Sequence, residues 1–203
     1  MYLCIMTSDD RREEPRIIDS GALKALAHPL RVRMYDILSQ FGPQTASSLA
    51  ELTGESSGST SYHLRALAKH DLIREVDGRG TARERWWERP RGGISFTNPD
   101  AMKTPSGKAA TQVVMTEFLN RRHQQLMRYV ADTIRDPEGH DEESMISTAT
   151  TPMTVAQTAE LIADIQAVID AAADKYRGQE GEGVRPVSIR TDIFPLPDEG
   201  TLR

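Results

Sequence analysis

The stretch ASSLAELTGESSGSTSYHLR, residues 46–65, decides the fold. Leu49, Ala50 and Leu52 fall on one side of a short helix running from Thr45 to Thr53. Gly54 stops that helix, because glycine alone enters positive φ at little cost. Glu55, Ser56 and Ser57 then offer N-caps for a second helix that reaches about His70. Its inward residues are Thr60, Leu64 and Leu67, with His63 beside them as a hydrogen-bonded structural histidine. Two short helices joined by a tight glycine turn have the spacing of a helix-turn-helix, which presents its second helix to the DNA major groove.

Working upstream, Ser20 is a candidate N-cap for a helix carrying Leu23, Leu26 and Ala27 on one face. His28-Pro29 interrupts it and restarts a helix with proline at the first position, where its missing N–H costs nothing. Leu30, Met34, Ile37, Leu38 and Phe41 form the stripe of that helix, which Gly42-Pro43 ends. Downstream, Leu72 to Val76 reads as a strand, Asp77-Gly78-Arg79-Gly80 as a turn, and Arg83 to Glu88 as the returning strand. The hairpin makes the whole a winged helix. Alternation sends one of Trp86 and Trp87 to the core and the other outward, to rest against the C-terminal domain.

With Thr60, Leu64 and Leu67 inward, Gly58, Ser61, Tyr62, Arg65 and Lys69 share the opposite face. Ser57, Ser59, Ser61 and Tyr62 are short or flat groups able to meet base edges and phosphates. Arg65 and Lys69 suit the backbone. An ordinary solvated face would carry Glu and Lys, whereas glycine and serines are poor helix formers. On the wing, Arg79 sits at the turn and Arg83 and Arg85 on the returning strand, where an arginine enters the minor groove or holds phosphate. For Arg85, plain strand solubility is an equal reading. The candidate DNA contacts are therefore Ser57, Gly58, Ser59, Ser61, Tyr62, Arg65, Lys69, Arg79 and Arg83.

Leu26-Ala27-His28-Pro29-Leu30-Arg31 resembles the helix-opening stretch of the ArsR family of regulators, and Ser59 to Leu67 resembles that family's recognition helix. Arg83-Glu84-Arg85-Trp86-Trp87, together with Phe194-Pro195-Leu196-Pro197, is similar to a two-domain actinobacterial-type subgroup. The match is firm over residues 20–88 and loose beyond. The resemblance implies a homodimeric transcriptional regulator. Many members hold a metal through cysteines on the helix corresponding to Ser47 to Leu52, and this sequence has none there, so no metal and no cofactor is expected.

The rest of the chain is read from its own pattern. Residues 1–18 are expected to be a tail, 19–91 the winged domain, 92–110 a Pro/Gly-rich linker, and 111–203 a helical dimerisation and effector domain. Thr111 to Ile134 is one long amphipathic helix carrying Met115, Phe118, Leu119, Leu126, Val130 and Ile134. After an acidic Ser/Thr-rich loop, Thr154-Val155-Ala156-Gln157 is a capping box that opens a second long helix to Tyr176. There Thr158, Ile162, Ile165, Ile169, Ala172 and Tyr176 recur at spacings of four and three. The dimer interface is expected at Met115, Phe118, Leu119, Leu126, Val130, Ile162, Ile165 and Ile169, because those stripes have few other surfaces to cover them. Val187, Ile189, Thr191 and Ile193 alternate with polar residues as a closing strand does. The fold class is thus mainly α with a small β-hairpin wing: a winged helix-turn-helix followed by a helical domain with a terminal strand.

Composition bounds the function. The chain has 203 residues, a net charge of -5, and 38% apolar against 27% charged residues, which excludes a protein that coats nucleic acid through bulk charge. The acidity lies mainly in the C-terminal half, since residues 65–91 hold eight Lys/Arg against five Asp/Glu. One cysteine, Cys4, excludes an internal disulfide. The longest apolar run, Met1 to Met6, is far too short to span a membrane, so a soluble cytoplasmic protein is expected; Met6 is a second candidate start. His123 reads as an exposed or interface histidine, and Gly139 to Glu143 as an acidic loop rather than a metal cluster. No nucleophile–base pair, phosphate loop or carboxylate pair stands out, and no enzymatic activity is expected. The partners expected are a double-stranded, palindromic DNA operator, a second copy of the chain and a small-molecule effector. The rival reading is a winged-helix protein-interaction module without specific DNA readout.

Overall fold

The computed structural model describes residues 4–5, 16–81, 84–90, 94–96, 98–136, 143–176, 179 and 181–197. The chain divides into two compact units, Met1–Glu142 and Glu143–Arg203.

In the first unit, α1 (Ser20–Leu26), α2 (Pro29–Phe41), α3 (Ala46–Thr53) and α4 (Ser57–Ala68) follow the order read from the sequence. Asp19, not Ser20, caps α1, its carboxylate accepting from the Ala22 N–H at 2.7 Å. Pro29 opens α2 behind His28, whose Nδ1 accepts from the Leu30 N–H. Thr45 and Ser48 form a reciprocal capping box on α3. Gly54 closes α3 in the left-handed conformation, at φ 73°. Arg33 of α2 donates to the carbonyls of Leu52 and Thr53, satisfying two acceptors that the helix end leaves open.

The core is one cluster. Leu23, Met34, Leu49, Leu64 and Leu67 are fully buried, and each such side chain contributes about 2 kcal/mol through lost apolar exposure. Two residues expected inward are not: Phe41 and Leu52 stay 60% and 49% exposed. Each lies at the end of its helix, where the stripe has run past its neighbours.

The wing has three strands, not two. β4 (Arg74–Thr81) and β5 (Glu84–Glu88) pair antiparallel, and β3 (Gln44–Thr45) adds to the far side of β5. Asp77 to Gly80 is no hairpin turn. It lies within β4, where the register shifts between Glu75 and Gly80, so the glycines serve a bulge. Gly80, at φ 101°, has no room for a Cβ, which would lie 2.2 Å from the Glu84 carbonyl oxygen.

The expected tail and linker form a second small sheet. β1 (Cys4–Ile5), β6 (Ile94–Ser95) and β2 (Arg16–Ile17) pair with β6 in the centre. Ile18 is fully buried, and the Asn98 amide donates to its carbonyl at 2.7 Å. Arg16 reaches the carbonyls of His70 and Asp71 just beyond α4. Residues 4–5 and 16–18 are therefore part of the fold, because β6 supplies ladder partners that lie some 80 residues away in sequence.

After a single 3-10 turn at Ala101–Lys103, Thr104 caps α5 (Pro105–Arg135), which starts six residues before the expected 111. Ala110, Thr111 and Val114 are buried, and Phe118 packs against the same core. Asp36 of α2 takes a forked contact from Arg121 of α5 at 3.0 and 2.8 Å, with both side chains largely buried. Gln40 donates to Asp36 and accepts from Gln125. The chain consequently divides at Glu142/Glu143 rather than within 92–110, since the first half of α5 belongs to the winged-helix core.

The second unit holds α6 (Val155–Lys175), opened by the Thr154/Gln157 capping box that its sequence announces. No residue of α6 is fully buried, and Ile162 is 46% exposed. Val187 to Ile193 carries no strand: residues 184–197 have no regular secondary structure and no ladder partners among the described residues. An alternating pattern specifies the faces of a strand but not its neighbour. No helix among the described residues is long and apolar enough to cross a membrane.

Breaking the α2–α5 ion pair should be costly. Arg121→Met should destabilise the first unit by about 3 kcal/mol in urea unfolding, because it strands the Asp36 carboxylate. Asp36→Leu combined with Arg121→Met should recover most of that loss.

Candidate nucleic-acid interface

The recognition face is built by the seating of α4. Thr60 is fully buried, and its hydroxyl donates to the Ala46 carbonyl at 2.8 Å, fixing the second helix across the first turn of α3. With Thr60, Leu64 and Leu67 inward, the opposite face is set. Ser57, Gly58, Tyr62, Arg65 and Lys69 are exposed, and Ser59 and Ser61 are half-buried. Ser56 caps the helix, accepting from the Ser59 N–H at 3.1 Å. The structure thus places six of the candidates on α4 and Lys69 at its C-cap, and leaves Tyr62 open, at 59% exposure.

The wing differs from expectation in detail. Arg79 lies in the β4 bulge, and its guanidinium stacks on the Trp86 ring, 3.7 Å from the centroid. Trp86 is therefore the base on which Arg79 rests, and Trp87 is the buried member of the pair, 8% exposed. Arg83 lies outside the described residues. Arg85 is exposed, with a 3.4 Å contact to Glu75 that is loose enough to yield to a stronger anion.

Between α4 and the wing lies a cleft of about 400 Å3. Ser47 of α3, Ser61 and Arg65 of α4, and Glu84 and Arg85 of β5 line it over Trp87. The sequence reading missed Ser47 and left Arg85 undecided. Ser47 carries no pattern that marks it, because its position beside α4 and β5 exists only once three elements are packed together.

Behind the face, His63 is buried, as an inward histidine should be. Its Nδ1 accepts from the Arg31 Nε–H at 3.1 Å, and its ring lies 4.6 Å from that of His28. Tyr62 meets it edge-on at 5.2 Å. Burial first, then Coulombic interaction with His28 and Arg31, hold its pKa below the ordinary 6.5, with Glu55 opposing. This cluster joins the Leu26–Arg31 stretch to the underside of the recognition helix. Among the described residues, no three His, Cys, Asp or Glu side chains are placed to hold a metal ion.

Residues 26–76 match the family model of a helix-turn-helix domain. Among solved structures, the chain is similar to a "Possible transcriptional regulator for arsenical resistance", with 27% identity over 55% of this chain and 95% of that one, at a TM-score of 0.31. RV1404 from Mycobacterium tuberculosis shares 19% identity over 75% of this chain and 81% of its own, at a TM-score of 0.29. No curated protein matches. The matched segment runs from the end of α1 into β4, so it contains α3 and α4, the two helices of the helix-turn-helix. Residues 26–76 are thus a helix-turn-helix domain, and the β4–β5 pair that follows α4 gives it a wing, the class of module with which transcriptional regulators bind DNA.

His63 gives the domain a pH signature. The folded chain takes up this proton less readily than the unfolded chain, so the stabilisation is complete above pH 6.5 and is lost as pH falls below it. Thermal melts from pH 8 to pH 5 should therefore show a steeper loss for the wild type than for His63→Gln.

Proposed function

We propose that this chain is a sequence-specific transcriptional regulator that binds a palindromic operator as a homodimer, acts as a repressor in the cytoplasm, and is released by a small-molecule effector. The observation that carries the DNA reading is the outer α4 face, where Gly58, Tyr62 and Arg65 are exposed with the half-buried Ser61 beside them, on a helix fixed from behind by Thr60. Small side chains at the start of a helix let its backbone approach base edges closely, and Tyr62 and Arg65 supply reach and charge. Ser57, Ser59 and Lys69 extend the contact along the same helix, and Arg79, held by Trp86, serves the wing. No catalytic role is assigned to any residue.

Dimerisation falls to the long helices. On α5, Leu119 and Leu126 are 44% and 37% exposed, and Met115 and Val130 are half-buried. Phe118 is set aside from that interface, since it packs on the core of its own subunit. In the second unit, Ile162, Ile165 and Ile169 of α6 are proposed as a separate dimer contact. Two-fold symmetry would place paired α4 helices about one DNA turn apart.

Gel-shift titration against the DNA upstream of the chain's own gene tests the reading. Tyr62→Ala and Arg65→Ala should each weaken binding by about tenfold, as loss of a base or phosphate contact does, with unchanged dimer mass. Wild-type affinity in both variants would remove α4 from the interface. Weak, sequence-independent binding by the wild type would instead favour a protein-interaction module. In light scattering, Leu126→Glu should shift the chain toward monomer, because it places a charge in an apolar contact.

A further inference from the structure

A helix in the major groove and a wing in the adjacent minor groove cannot both engage a duplex unless the sugar-phosphate strand dividing those grooves passes between them. In this chain the space between them is the cleft bordered by α3, α4 and β5. We infer that this cleft seats a DNA backbone phosphate, with Ser47, Ser61, Arg65 and Arg85 as its ligands; the inference rests on the DNA-binding reading above and assigns Ser47 and Arg85 a part in it.

Three features of the cleft support a phosphate over any apolar occupant. Its rim combines two guanidinium groups with two hydroxyls, contributed by three separate elements, so an anion is met from several sides. Ser61 and Arg65 are four residues apart on α4 and hence lie on one edge of the recognition face, the edge turned toward the wing. Arg85 is exposed and its contact to Glu75 is long, so the guanidinium can turn to a phosphate at little cost. Glu84 is the one acidic group on the cleft, and it is exposed to solvent, where its charge is screened. Beneath them the buried Trp87 and the β3–β5 pairing through Thr45 give a fixed floor. A contact of this kind holds register and carries no sequence information.

Because backbone contact is independent of sequence, the test uses a random-sequence duplex about three helical turns long. Ser47 sits at the second position of α3, where a carboxylate favours the helix. Ser47→Asp should therefore keep or raise the melting temperature of the protein while weakening duplex binding about tenfold. Arg85→Ala should weaken binding to the same duplex and lower the slope of log K against log salt by about 0.9, the loss of one neutralised phosphate. Wild-type affinity and slope in both variants, with Lys69→Ala, outside the cleft, still weakened, would overturn the cleft assignment and leave the DNA reading standing. If the wild-type chain binds no duplex even at low salt, the DNA reading fails and the phosphate seat fails with it.

Discussion

The hydroxyl of Thr60 against the carbonyl of Ala46 is the contact on which the rest of the surface depends. The same hydroxyl has the Ser56 and Ser57 carbonyls within reach at 3.3 and 3.1 Å, and its shorter 2.8 Å contact to Ala46 is the one that ties α4 to α3. Gly54 makes that contact reachable, since its left-handed conformation turns the chain within a few residues of the α3 end. Once α4 is seated, the direction of every outward side chain follows from helical geometry. Gly58, Tyr62 and Arg65 face solvent for this reason, and the cleft toward the wing exists because α3, α4 and β5 meet at its edge.

A second constraint joins this module to the long helix. Asp36 and Arg121 form a nearly dry ion pair, and Gln40 and Gln125 extend it as a polar ladder between α2 and α5. Such a pair contributes little net stability relative to an apolar substitute, yet it tolerates little displacement. It sets the rotation of α5 about its own axis. That rotation turns Ala110, Val114 and Phe118 into the core and leaves Leu119 and Leu126 outside. The stripe read from the sequence thus splits in two: part belongs to the subunit itself, and part is open to a partner.

Charge takes on meaning from the same placement. The acidic total hides a local concentration of cations: Arg65 and Arg85 line one cleft although 20 residues apart, and Arg79 stacks on Trp86 of the same wing. Burial and the nearby Arg31 guanidinium favour the neutral form of His63 on the inner side of α4, where a buried charge would be costly.

Local signals were sufficient for the four short helices, the His28-Pro29 restart, the Gly54 stop and the Thr154 capping box, since caps, glycines and 3.6-residue stripes act over a few residues. They also assigned the α4 face, because Thr60, Leu64 and Leu67 fix its orientation by spacing alone. Long-range pairing was beyond them. The β1–β6–β2 sheet joins residues 4–5 and 16–17 to 94–95, and nothing in a short polar-flanked segment announces a partner so distant. Asp77 to Gly80 has the composition of a turn, and only cross-strand register makes it a bulge. The strand pattern at 187–193 has no ladder because a strand needs a neighbour as well as a pattern. The sequence by itself determined a helix-turn-helix and which of its residues face away from the core. The tertiary structure alone decided the limits of the first unit, the stacking of Arg79 on Trp86 and the Ser47–Arg85 cleft, because each depends on groups that only packing brings together.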